Sequence, residues 1–530
     1  LYWQRESGQD LNSIAANPRF ANEATGDFRL QSVVGRWTGT NWIQDAQHSP
    51  SIDAGSPLSA FNSEPLPNGE RVNQGYDGNT SLASLSQTNP WVIAVTMNDG
   101  GVLRGTNYLV WRYGSMTNGA LVRLEYSPNN GSSWNTIASG LPVVQSNYYW
   151  DSTAFTSSLQ ALWRVMLESN TNVSDAIDTT FQLRNTPLLF YVNDTSTTGD
   201  VFTSAVGNDS NSGTTPSAPK RTLQALLAAY DTEGGDVVYM DTGAYSISTL
   251  NRVNWSRGGD AEAGFVTIRG STNLVAGGTV LTRNVPFPGS HVIEVPAPYV
   301  RLRDLTLQGG DYGIYSSSNR FVEVEGIFAR SNEIGAVFNT TYNALLRNLR
   351  IWNNRLGGVE ILNGRTTTLE NATFVANSNY SYRLFGTAAD VIQSSIFYQS
   401  YSNTVAFSGP ATSFDNAFID YNVYYFPEPT SHIFGAYNNL LQWQLDKQKD
   451  YRSAITNPLL HDVSSGDFNL RSIHGRYSGG IFVNDAESSW AIDRGNPASA
   501  FSNEPSFNGA RINIGAFGGT PFASKSPTNR

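Results

Sequence analysis

Acids, arginines and aromatics scattered between residues 300 and 430 are the side chains of this sequence that could do chemistry. Glu325 and Glu370 have the right type for general acid or base roles, and Arg365 and Arg383 for receiving an acidic sugar. Trp352, Tyr380 and Tyr398 each fall near an expected strand end, where a flat ring could stack on a sugar. A β-elimination site needs a basic residue beside a group that neutralises the substrate carboxylate. A hydrolytic site needs two carboxylates on one face. Lysine is absent between Lys220 and Lys447, and no D-x-D or D-D cluster occurs in that stretch. Asp415 and Asp420 are too loosely spaced to name a pair. His48, His291, His432, His461 and His474 show neither HxH nor HxxxH spacing, which sets metal ligation aside, and GxSxG and P-loop patterns are absent. The turn GNDSNSG at 207–213 offers Asp209 and backbone carbonyls to a Ca2+ ion, although an Asx-rich turn explains it more simply. No catalytic residue is assigned.

Composition narrows the class further. The chain has 530 residues, 39% hydrophobic, 15% charged and 12% aromatic, which is enough apolar material for several folded domains. Its net charge of −10 and its four lysines give no cationic footprint for nucleic acid. Cysteine is absent, excluding disulfide scaffolds and thiol catalysis. No apolar run is long enough to span a bilayer. Leu1-Tyr2-Trp3-Gln4 has no leader character, so the numbering is expected to start inside a longer precursor.

The elements that would position these residues are organised by a repeat. SIDAGSPLSAFNSEPLPNGERVNQG at Ser51–Gly75 returns as AIDRGNPASAFSNEPSFNGARINIG at Ala491–Gly515, with 14 of 25 positions identical. The offset of 440 also lays Trp3-Gln4 on Trp443-Gln444, Gly26-Asp27-Phe28 on Gly466-Asp467-Phe468, and Asn89 on Asn529. Residues 90–529 therefore read as one complete unit, and residues 1–89 as the tail of a preceding one.

Within the unit, residues 90–185 carry short alternating apolar runs between turn signals such as Asn129-Asn130-Gly131, the pattern of an Ig-like β-sandwich. Residues 186–200 read as a linker with one apolar strand. PSAPKRTLQALLAAYD then predicts a helix with Leu223, Leu226 and Leu227 as its apolar stripe. From there a period sets in. Leu302, Val324, Leu346, Leu369, Ile392 and Phe414 form one apolar column, and Asn332, Asn354, Asn377, Ser400 and Asn422 a turn column. Arg303, Glu325, Arg347, Glu370, Gln393 and Asp415 form a third, whose alternating signs predict a ladder of ion pairs rather than catalytic acids. Strand, helix, strand and this period resemble the pectate-lyase-like, right-handed parallel β-helix proteins of bacterial exported type. That resemblance implies a short helix capping the amino-terminal end of the coil. It also implies about ten or eleven rungs spaced ~4.8 Å apart. The repeated tail, a DFxLxSxxGR…AIDxGxP…NGxRINxGAxGGT run in its second copy, is expected to cap the open end of the coil.

The expected fold class is thus all-β: a right-handed parallel β-helix (solenoid) with an N-terminal capping helix, plus an Ig-like β-sandwich. Domains are expected at 1–89 (tail of a preceding unit), 90–185 (sandwich), 186–440 (β-helix with its cap) and 441–530 (second tail). The expected role is structural: a segment of an extracellular or cell-surface tandem-repeat fibre or adhesin, with copies joined end to end or within a longer chain. The alternatives are a β-helix polysaccharide lyase or glycoside hydrolase, or a glycan-binding module. Nucleic-acid partners and membrane insertion are not expected.

Overall fold

The computed structural model describes residues 9–526 apart from 11, 12, 286, 387, 388, 436 and 438, so Trp3, Gln4 and Asn529 lie outside the described residues. The chain divides into two compact units, Leu1–Thr186 and Pro187–Arg530.

In the first unit, alternating apolar residues build two sheets around one core. Thr106–Gly114 lies between Trp91–Ala94 and Asn147–Asp151 in one of them. In the other, Leu121–Ser127 pairs with Asn135–Pro142 and with Ser158–Leu167. Phe181–Leu183 joins Ser158–Leu167 antiparallel and Val102–Leu103 parallel. Trp111, Trp150, Trp163, Tyr126 and Phe181 are fully buried between the sheets. Trp111 and Trp163 direct their indole N–H groups to the Val143 and Thr96 carbonyls, which satisfies their one polar atom inside an apolar core.

The second unit is the parallel β-helix. Its first sheet has nine strands, from Leu189–Val192 to Phe418–Asp420. The second has nine, from Gly243–Ser246 to Ala454–Ile455, and the third has seven, from Asn251–Arg252 to Val405–Ser408. Every neighbouring pair in all three is parallel. Nine strands, not ten or eleven, make the longest sheets, a length of about 38 Å at ~4.8 Å per step. Leu189–Val192, read from the sequence as part of a linker, is in fact the first strand of the first sheet.

The period is confirmed and its last step corrected. Leu302, Val324, Leu346, Leu369 and Ile392 stack as a column, but Ile419 follows, not Phe414. A longer rung inserts the 3-10 turn Ala411–Phe414, and Phe414 is buried in the core from that turn. The amide ladder is continuous over Asn332, Asn354 and Asn377, each side chain bonding the next at 3.3 and 2.9 Å. Asn422 belongs to a different corner, where its Oδ1 accepts from the Ser395 backbone N–H. The charge ladder is real: Arg303 pairs with Glu325 and Arg347 with Glu370, both at 3.0 Å, while Asp420 rather than Asp415 follows Gln393.

Both ends of the coil carry a helix. Thr222 caps helix α1, Leu223–Ala229, by accepting from the Ala225 N–H, and Leu223, Leu226 and Leu227 bury against the first rungs. Helix α2, Leu440–Lys447, was not foreseen. It drives Trp443 wholly into the core beside Phe407, Phe434 and Tyr437, and the Trp443 indole N–H donates to the buried Asp450 carboxylate at 2.8 Å.

Because α2 lies over the last rungs, the repeated tail has a different place from the one expected. It runs back along the outer side of the second sheet. Leu460, Phe468, Leu470, Ala491, Ile492 and Ile514 share a core with Phe328, Val375, Ile396 and Val423, which point outward from that sheet. Replacing Trp443 by Ala should destabilise the coil by about 3–5 kcal/mol, through the lost transfer energy and the cavity left behind. Urea unfolding followed by circular dichroism checks this; a loss below about 1 kcal/mol would show that the end of the coil does not depend on α2.

Candidate functional site

The second sheet's outer face is covered by the tail. The third sheet instead carries polar and aromatic residues outward, and their positions follow from rung stacking. One outward column runs Glu294, Tyr315, Val337, Glu360, Arg383, Ser408. A second runs Tyr312, Ile334, Gly357, Tyr380, Val405.

Two clusters stand on this face. In the first, the Tyr380 ring lies across the neighbouring strand at Gly357, where a Cβ would come within 2.2 Å of the ring. Only glycine leaves that seat open. The Tyr380 hydroxyl then reaches Glu360, and Arg383 closes the group, donating to the same Glu360 oxygen at 2.9 Å with its guanidinium 4.0 Å from the Tyr380 ring centre. Burial, reinforced by the bond to Glu360, pushes the Tyr380 hydroxyl far above the usual tyrosine range. It stays protonated and is no candidate base.

In the second cluster, His291 stacks on Tyr312 at 4.9 Å and meets Tyr315 at 4.5 Å. Both tyrosines are half-buried. Burial, with a further push from the Arg283 charge, lowers the His291 pKa to about 4, so the ring is neutral near pH 7. Three enclosed nitrogens here, Arg283 Nε and Nη1 and His291 Nδ1, have no hydrogen-bond partner among the described residues. The Tyr312 hydroxyl is raised by burial and then by the charges of Asp311 and Glu360, which links the two clusters electrostatically.

Glu294 and Glu360 share a column but are separated by three strand steps, about 14 Å, against the ~5–9.5 Å that glycoside hydrolysis uses. Glu360 is held by two partners, and Glu294 faces Arg252 at 3.6 Å.

The sequence candidates divide. Tyr380 and Arg383 are brought together on this face, but Tyr380 is 2% exposed and is no open platform either. Trp352 and Tyr398 are not open platforms: Trp352 is packed between Phe328 and Phe468, and Tyr398 lies against the tail core and Tyr425. Arg365 is exposed in the turn after Gly357–Leu362, its backbone N–H donating to the Thr341 carbonyl of the neighbouring turn. Asp415 faces Lys447 and Asp420 faces Arg452, so neither is poised for catalysis. The Ca2+ turn is closed from within. Lys220 donates to the Asp209 and Asn211 carbonyls at 2.9 and 2.7 Å, and the Asp209 carboxylate accepts from the Arg221 and Thr222 N–H groups. Arg283, His291, Tyr312, Tyr315 and Glu360 were missed, although Tyr312, Gly357 and Tyr380 keep the period of the apolar column.

Residues 4–55 match a family described as disaggregatase related. No curated protein matches the chain. Solved structures similar to it include an alginate lyase from Paenibacillus, at 17% identity over 41% of this chain and 89% of the lyase, with a TM-score of 0.28. Pectate lyase Pel9A is similar at 14% identity over 62% of this chain and 97% of its own, with a TM-score of 0.36. A family 28 exopolygalacturonase from Yersinia enterocolitica is similar at 9% identity over 63% and 86%, with a TM-score of 0.22. The parallel β-helix itself is read from the strand pairing described above.

The lowered His291 pKa has a direction in stability. The folded value of about 4 lies below the ordinary 6.5, so the neutral ring's contribution is complete above pH 6.5 and is lost as pH falls towards 4. His291→Gln should remove up to about 3 kcal/mol of this acid sensitivity. Urea unfolding of both chains at pH 7 and pH 4 measures it, and parallel pH profiles would show that His291 titrates normally.

Proposed function

We propose that the outer face of the third sheet binds a polysaccharide without cleaving it. One observation carries this reading: the His291, Tyr312 and Tyr315 rings lie beside enclosed Arg283 and His291 nitrogens that lack partners. Buried polar atoms without partners are costly, and a ligand rich in hydroxyl groups, which both donate and accept, would satisfy them. Half-buried tyrosine rings offer apolar faces with polar tips, which suits the alternating apolar and hydroxyl surfaces of a sugar. The Arg283 guanidinium adds a planar fork matched to a carboxylate, which favours uronate-containing chains. Arg383, whose side chain is 34% exposed, would extend the contact further along the axis.

A second reading rests on the repeat and on how the second tail is seated: the unit as a stiff structural module of an exported, tandem-repeat fibre or adhesin. Both readings go with a location outside the cell or on its surface.

Affinity electrophoresis against uronate-containing and neutral polysaccharides tests the first. Retardation by uronate gels, reduced at least tenfold in affinity by Arg283→Ala and by Tyr312→Ala, is the expected result, with no release of shorter products. Equal mobility in every gel would remove the glycan reading, and product formation would replace binding with catalysis.

A further inference from the structure

Beneath the second tail, on the second-sheet flank, one cation has no counter-ion. Thr306, Phe328 and Arg350 stand on successive rungs of that sheet's outward column. The Arg350 guanidinium lies over the Phe328 ring, 4.3 Å from its centre, and the Phe517 ring of the tail is 5.6 Å away. Its side chain makes no hydrogen bond and no ion pair among the described residues. Burial lowers its pKa to about 10, the Arg330 charge adding to the effect, so the group is still a cation near pH 7.

The neighbouring charges are already occupied. Asp304 pairs with Arg269 at 3.3 Å and Glu325 with Arg303 at 3.0 Å. Asp467 accepts from the Asn469 amide and faces Arg476 at 3.7 Å. Arg330, the nearest other cation, donates to Gln308 at 2.8 Å. Asp304 and Asp467 attract Arg350 only from beyond ion-pair distance.

Arg350 borders a cavity of about 80 Å3 between coil and tail. Leu305 supplies an apolar wall from the coil, and Phe517 and Phe522 supply one from the tail. Thr306 also lines it, with a hydroxyl that bonds to nothing among the described residues. A buried cation without an acceptor is costly, and a planar guanidinium fits a carboxylate through two parallel hydrogen bonds. The room is about half of the ~150 Å3 that admits a benzene ring, so it takes a short chain and no sugar ring. Asp304 and Glu325, also in the lining, disfavour a second negative charge, which selects a carboxylate over phosphate or sulfate. The first tail, which runs on into the sandwich, keeps Tyr76 and Leu82 67% and 44% exposed at the places of Ala516 and Phe522, so the domain following a tail does not lie over this corner.

We propose that this cavity binds a small aliphatic monocarboxylate, its carboxylate on Arg350 and Thr306 and its chain between Leu305 and Phe517. Such a ligand touches coil and tail at once. Because it binds only where the two are joined, it fastens the tail to the flank by mass action. The site shares no residue with the third-sheet face, so its failure and that of the glycan reading are separate results.

Propionate is the probe, titrated into the full chain at pH 7 with sodium chloride holding ionic strength constant. Saturable binding by isothermal titration calorimetry is expected, together with slower hydrogen exchange in residues 304–306 and 516–523. Arg350→Met should weaken binding at least about tenfold and Thr306→Val about threefold. Phosphate, sulfate and galacturonate should not compete. Absence of saturation by about 50 mM, equal affinity in Arg350→Met, or competition by phosphate would each overturn the proposal. If Arg350→Met does not fold, Arg350→Lys keeps the charge but loses the planar fork. It should still cost about threefold, and unchanged affinity would overturn the proposal as well.

Discussion

Backbone hydrogen bonds between successive rungs run along the axis of the coil, and everything else in the second unit is subordinate to them. A parallel ladder keeps its bonds only if each rung offers its strands in the same register as the last. Side chains therefore stack on their own kind: Leu302 on Val324, Asn332 on Asn354, Arg303 on Glu325. The same constraint creates two exposed needs. Each end of the coil is an unpaired rung with its interior open, and any outward apolar column is a stripe of uncovered surface.

The protein answers these needs with different parts. Helices α1 and α2 close the interior, and the tail covers the outward column from Phe328 to Val423, in which Arg350 and Thr373 stand between the apolar residues. The third sheet needs no cover of that sort because its outward residues largely satisfy one another. Glu360 is neutralised by Arg383 and hydrogen-bonded by Tyr380, so a carboxylate that would be costly alone is held on the face. Among the described residues, unpartnered enclosed nitrogens remain at the Arg283–His291 corner and at His432, which follows Val405 in its column.

Much of this was legible in the sequence where a residue answers to the residue one rung away. The apolar column, the Asn332–Asn354–Asn377 amides and the Arg–Glu pairs all show themselves as spacing. Phe414 misled because it keeps the spacing and is buried, yet reaches the core from an inserted turn. Trp352 and Tyr398 misled for another reason. On a strand that alternates inward and outward, an outward aromatic reads as surface, and only the path of a distant segment decides whether something lies on it. Helix α2 left a faint signal, since Trp443 is its one buried residue. Glu360 and Tyr380 were separable in the sequence but became a pair only through the bare backbone at Gly357.

The course of the second tail bears on how the molecule carries load. After α2 the chain turns back, and its contacts with Phe328 and Trp352 lie four and three strands before Val423–Tyr425 in the second sheet. Tension applied beyond residue 526 must strip the tail from the flank before it reaches α2 or any rung. A force at that end therefore acts first on the tail–flank contacts, and the coil beneath is loaded only once they have parted.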